Sequence, residues 1–173
     1  LYYLTDVVGL SASLAGLAVL LGKIWDGVND PLIGIMSDRT HSRHGRKRVY
    51  LLYGAVPFAI SFALLWWIPA GAGTAAAFTL AVVLLLLFAT TYSLVGVPYQ
   101  ALVPVMTNQY DERTRLVGFK AIFSAVGAIL GGAIALVVEG QVGVAAAIRI
   151  MAVGFAVFCA ATFFVAARSV RSL

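Results

Sequence analysis

The stretch that decides the fold is Lys23-Ile-Trp-Asp26-Gly-Val-Asn29-Asp30-Pro31, set inside an otherwise apolar segment from Ser11 to Ser37. Asp26 and Asp30 are four residues apart, so on a helix they share a face. Lys23, three residues before Asp26, joins the same stripe, and Asn29 lies beside it. Two carboxylates, an ammonium and an amide therefore line one side of an apolar helix. Three charges near the middle of a bilayer cost roughly 2.5–3.5 kcal/mol each on the insertion scale. Lys23 must offset one of the two acids, and the stripe must face the inside of a helical bundle or a wet cavity. A structural ion pair would need only one acid. The second carboxylate is left over, which points to binding of a cation or proton.

Composition extends this reading to the whole chain. Of 173 residues, 62% are hydrophobic and 11% charged, and the mean hydropathy is +0.99. A soluble domain is about a quarter charged, so the expectation is an all-α polytopic membrane protein. The net charge of +5 does not indicate nucleic acid. Five of the 12 basic residues (Arg39, Arg43, Arg46, Lys47 and Arg48) crowd one short loop between apolar segments, as in a cytoplasmic membrane loop. Cys159 is the only cysteine and lies in an apolar run, so no disulfide framework is expected.

The expected spans are about 11–37, 49–69, 75–106, 116–138 and 144–167, with cytoplasmic loops at about 38–48 and 107–115. Leu1 to Thr5 reads as the end of a truncated helix, followed by a loop from Asp6 to Ser11, with Tyr2 and Tyr3 in an interfacial belt. Pro98 and Pro104 are expected to kink the long third span. Gly127/Gly131 and Ala128/Gly132 form small-xxx-small pairs that favour close helix approach. Lysine and arginine fall in alternate loops only, which puts the basic loops inside the cell at the plasma (cell inner) membrane.

Other constellations are weaker. Tyr92, Gly96 and Gln100 follow a four-residue spacing, so a solute-binding face and ordinary interhelical hydrogen bonding fit equally well. Lys120 and Arg149 sit near span ends, where snorkelling explains them. His41 and His44 lie among five cations and make a poor metal site. There is no nucleophile–base set, no phosphate-binding glycine loop and no metal-ligand cluster, so neither catalysis nor a cofactor is expected.

The motifs resemble a known family. Gly34-xxx-Asp38-Arg39 followed by Gly45-Arg46-Lys47-Arg48 resembles the loop signature of the major facilitator superfamily. Ile24-Trp25-Asp26-xx-Asn29-Asp30-Pro31, Val97-Pro98-Tyr99-xx-Leu102-xx-Pro104 and Asp111-Glu112-Arg113-Thr114-xx-Val117 look like the glycoside–pentoside–hexuronide:cation symporters, in the sodium/melibiose symporter branch. The resemblance implies a twelve-helix, two-lobed transporter working by alternating access. This chain would be helices two to six of its N-terminal lobe plus a stub of the first. Its partners would be a small-molecule solute, a coupling cation, the lipid bilayer, and the missing first helix and C-terminal lobe of the same protein. It also implies that Asp26, Asp30 and Asn29 bind Na⁺ or H⁺, the one ion expected in a cofactor's place. Lys23, Tyr92 and Gln100 would lie near the solute, and Gly34, Asp38, Arg39, Gly45, Arg46 and Lys47 would form the conformational loop motif. Two positions depart from the sugar site of that branch, with Gly96 in place of an aspartate and Gln100 in place of a tryptophan. Lysophospholipid transport on the same fold, and a membrane protein that acts through interactions without transporting, are the alternative expectations.

Overall fold

The computed structural model describes residues 1–40, 47–69, 71, 73–101, 110–142 and 144–169. Five α-helices follow a short π-helical turn at Tyr3–Val7: α1 (Ala12–Arg39), α2 (Arg48–Leu65), α3 (Thr74–Gln100), α4 (Tyr110–Val142) and α5 (Val144–Ser169). The described residues contain no strand. Four segments, Arg48–Leu65, Thr74–Gln100, Thr114–Ile134 and Ala146–Arg168, are long and apolar enough to cross a membrane. With 28 residues α1 is also long enough, and what sets it apart is its charged stripe.

The principal neighbour order is α1–α3–α2–α5–α4. Alanine, glycine and serine dominate the buried positions, among them Ala15, Ala18 and Gly22 on α1 and Ala77, Ala81 and Ala89 on α3. Water does not drive helices together inside lipid, so small residues that admit close van der Waals contact carry the packing. The aromatic ring of Phe58 on α2 lies 5.8 Å from Phe88 on α3 and 5.7 Å from Phe163 on α5, joining three helices.

α2 runs opposite to α1, α3 and α5, and its first residues fasten the ends of all three. Lys47 Nζ donates to the Ala101 carbonyl at 3.0 Å and stands 3.8 Å from Asp38 Oδ1. Arg48 Nε donates to the Ala167 carbonyl, and the Thr40 and Tyr50 hydroxyls share a 2.8 Å hydrogen bond. Cations at helix C-termini are favoured by the macrodipole. Asp38 is 69% exposed, so that ion pair adds little, and the bond to Ala101 is the stronger tie. Lys47→Met keeps the stem and removes the ammonium. It is expected to lower stability by about 1–2 kcal/mol, read as a lower melting temperature of the purified full-length protein.

Several boundaries differ from expectation. α4 begins at Tyr110, so residues 110–115 are helical where a loop was expected. Asp111 and Glu112 in its first turn suit the positive end of the dipole. α4 also continues through residues 139–142, where a turn was expected. α3 contains Pro98, while Pro104, together with residues 102–109, lies outside the described residues. α2 ends at Leu65 rather than near 69, as Pro69 has no N–H to give to the Leu65 carbonyl. The Tyr3 hydroxyl donates to the Trp66 carbonyl at 2.7 Å and approaches the Ile68 carbonyl at 3.3 Å. Tyr3 is thus buried against Trp66 at the end of α2. Gly9, with φ +84°, makes the sharp exit from the π-turn, and Ser11 then caps α1 by accepting from the Leu14 N–H. Of the expected small-residue pairs on α4, only Gly131 meets a neighbour, the ring of Phe155 at 3.6 Å.

Candidate functional site

α1 and α3 run parallel and in register. Leu85 faces Gly22 and Val97 faces Gly34, each 3.8 Å from where a Cβ on the glycine would sit. The polar stripe lies between these two close contacts. Lys23 Nζ donates to Asp26 Oδ2 at 2.9 Å, with the lysine side chain 75% exposed and the aspartate 24%. Asp26 Oδ1 is buried without a hydrogen-bond partner, and so is Nδ2 of the buried Asn29. Asp30 is held from the neighbouring helix, where Ser93 Oγ donates to its Oδ1. Pro31 follows at once and has no N–H to give to the Gly27 carbonyl.

The two acids are therefore treated differently. Asp26 is paired with a lysine on its own helix, whereas Asp30 is tied to α3 by a neutral hydroxyl and has no ion-pair partner among the described residues. Buried polar atoms without partners are costly. The orphaned carboxylate oxygen is a free acceptor that suits an added hard cation, and the Asn29 amide, whose Nδ2 lacks an acceptor, would join it only by presenting its oxygen. Carboxylate, hydroxyl and amide oxygens are the donors Na⁺ takes, and a proton needs only the carboxylates.

Sequence reasoning missed Ser93. A serine in an apolar helix ordinarily bonds back to a carbonyl of its own helix, as Thr90 does to Leu86 and Thr91 to Leu87. Ser93 bonds to Asp30 instead, and only the register of α3 against α1 reveals that. Trp25 Nε1 makes a second bridge, donating to Thr90 Oγ1 at 2.9 Å.

The remaining predicted residues are spread along the bundle. Tyr92 is 50% exposed, and its ring packs beside Gly96, 3.6 Å from where a Cβ would sit. Gln100 is exposed at the last residue of α3, roughly 10 Å along the helix from Ser93. The structure does not bring it to the carboxylates. Asp38 and Lys47 pair at the basic end, with Arg39 in the last turn of α1. Gly45 and Arg46, like His41 and His44, lie outside the described residues. Arg149 stacks 6.0 Å over the Trp67 ring, and Lys120 is exposed on α4.

The chain is a bundle of apolar helices packed through small residues, with α2 antiparallel to α1, α3 and α5 and an acid pair on α1, an arrangement in keeping with a membrane protein of the major facilitator type. The family model described as "MFS/sugar transport protein" matches residues 1–172, and the chain belongs to that family. It is a multi-pass membrane protein. An uncharacterized symporter of Synechocystis is 43% identical over 135 residues, 75% of this chain and 25% of that protein. A protein of Escherichia coli provisionally named a glycoside/cation symporter is 37% identical over 142 residues, 82% of this chain and 31% of that protein. The isoprimeverose transporter of Lactiplantibacillus pentosus is 33% identical over 136 residues, 79% of this chain and 28% of that protein. The chain thus spans about a quarter to a third of the length of the curated relatives it matches.

Proposed function

We propose that the full-length protein carrying this chain is a secondary active transporter, not an enzyme, that couples entry of Na⁺ or H⁺ to movement of a glycoside-like solute by alternating access. One observation carries this reading. Asp26 and Asp30 share a face of an apolar helix with Lys23, leaving one negative charge in excess beside the unpartnered Asp26 Oδ1 and Asn29 Nδ2. A single monovalent cation balances that charge. Asp26 and Asp30 bind it, Ser93 adds a hydroxyl oxygen, and the Asn29 amide turns its oxygen toward it. Lys23 and Tyr92, both exposed beside the site, face the solute, with Gln100 further along the same helix.

The glycoside and isoprimeverose names of relatives support a sugar-like solute. Carriers of this kind bind solute at the midplane between repeats, so the first helix and the C-terminal lobe complete the path. The basic end of the bundle is cytoplasmic, and the surrounding partner is the lipid bilayer of the cell inner membrane.

Proteoliposomes holding the full-length protein test the proposal, with labelled isoprimeverose and a labelled lysophospholipid as probes. Uptake of the glycoside that requires an inward Na⁺ or H⁺ gradient is the expected result. Uptake indifferent to both gradients would remove the coupling. Movement of the lysophospholipid alone would reassign the solute, and movement of neither probe would favour a non-transporting role.

A further inference from the structure

The α1–α3 seam holds two side-chain bridges, Trp25 to Thr90 and Ser93 to Asp30. They bracket Asp26 and Asn29, whose buried polar atoms lack partners. The first bridge is directional. Thr90 Oγ1 donates its proton to the Leu86 carbonyl at 2.8 Å and so is left as an acceptor, which the Trp25 N–H takes at 2.9 Å. Indole N–H, threonine hydroxyl and backbone carbonyl thus form a short chain anchored to α3, which fixes both the Thr90 rotamer and the plane of the indole. Trp25 is the residue immediately before Asp26. A rotation of α1 about its axis that would swing Asp26 and Asp30 away from Ser93 on α3 must break this bond as well as the one from Ser93 to Asp30. The glycines at 22 and 34 let the helices approach closely, but neither contact is directional.

We propose that the Trp25–Thr90 hydrogen bond is a positioning latch for the cation site, holding α1 at the rotation that presents Asp26 to the ion. The proposal rests on the reading of Asp26 and Asp30 as the cation-binding pair. Their side chains bond to each other and not to the carboxylates, so in this proposal Trp25 and Thr90 act through the placement of Asp26.

The test uses the purified full-length protein with the cation alone as probe. Thermal unfolding is followed while Na⁺ replaces choline at constant ionic strength and, separately, while pH is varied without Na⁺. Ligand binding to the folded state raises the melting temperature with a concentration dependence that gives the affinity. Thr90→Val is expected to weaken the dependence on whichever cation stabilises the protein by roughly three- to tenfold, the effect of one lost side-chain hydrogen bond. Thr90→Ser, which restores the hydroxyl, should return it to within about twofold. Trp25→Phe should match Thr90→Val, and the double variant should be no weaker than either alone, because both remove the same bond. A purely structural contact would lower the melting temperature without cation and leave the concentration dependence unchanged. That outcome for both Thr90→Val and Trp25→Phe, or fully additive losses in the double variant, would overturn the latch. If Thr90→Val does not accumulate, Trp25→Phe gives the same readout. Asp26→Asn combined with Asp30→Asn separates the two ideas. Full cation dependence in that variant would sink the site and the latch together, whereas its loss beside normal Thr90→Val behaviour would sink the latch alone.

Discussion

Replacing Asp26 and Asp30 together by asparagine is expected to reduce gradient-driven uptake by the full-length protein on the order of a hundredfold or more. Each carboxylate supplies charge-assisted contacts of about 1.5–3 kcal/mol, and two such losses multiply. The single variants separate the roles. Asp30→Asn keeps an oxygen that can accept from Ser93 and so preserves the α1–α3 bridge while removing the carboxylate charge, and uptake should become uncoupled without loss of folding. Asp26→Asn leaves the Lys23 ammonium without its partner at 2.9 Å, turning the cluster neutral, and a cation is no longer attracted. Ser93→Ala removes one neutral oxygen and should weaken cation dependence by only about three- to tenfold. The measurement is the initial rate and the final accumulation ratio in proteoliposomes with and without the gradient. Downhill solute flow that survives in Asp30→Asn would show that the protein is folded and only the coupling is lost. An unchanged accumulation ratio in the double variant would rule out this pair as the coupling site.

The second large effect lies away from the site, where α2 crosses α3. A Cβ on Gly54 would stand 2.7 Å from Val95 Cγ2 and 3.9 Å from the Leu94 backbone. Gly54 is buried, and Val95 is 1% exposed and belongs to the core shared with Leu51, Phe58 and Ala167. Neither side has room to give. Gly54→Ala is expected to cost about 1–3 kcal/mol through overpacking, and Gly54→Leu more, enough to abolish accumulation of the folded protein. The cause is a single methyl contact, so Val95→Ala placed with Gly54→Ala should recover part of the loss despite the cavity it opens. Size-exclusion profiles and melting temperatures of the detergent-solubilised protein read this directly. A Gly54→Leu variant as stable as the parent would mean that α2 and α3 do not meet closely here.

The sequence by itself determined that the chain is a helical membrane bundle, and it singled out the Lys23–Asp30 stripe as the candidate site. Composition and helical periodicity are local properties, and charge in an apolar helix is expensive wherever that helix packs. The basic loop was legible for the same reason, since runs of cations are visible without coordinates, whereas Gly34 and Asp38 were marked only by the resemblance of the loop motif to the family.

Tertiary structure decided the partners. Ser93, Thr90 and Trp25 look like ordinary members of apolar helices. Their roles arise from the parallel register of α3 on α1, which joins residues some 65 positions apart. Gly96 follows the four-residue spacing from Tyr92, and the Tyr92 ring packs beside it. Gln100 shares a helix face with Tyr92, but the rise along α3 carries it away from the acids. Tyr3 suited an interface by type, and its hydroxyl bonds to the carbonyls at the end of α2. A stripe on one helix follows from spacing alone, whereas which helix completes it depends on how small residues let neighbours approach, and that is a property of pairs of surfaces.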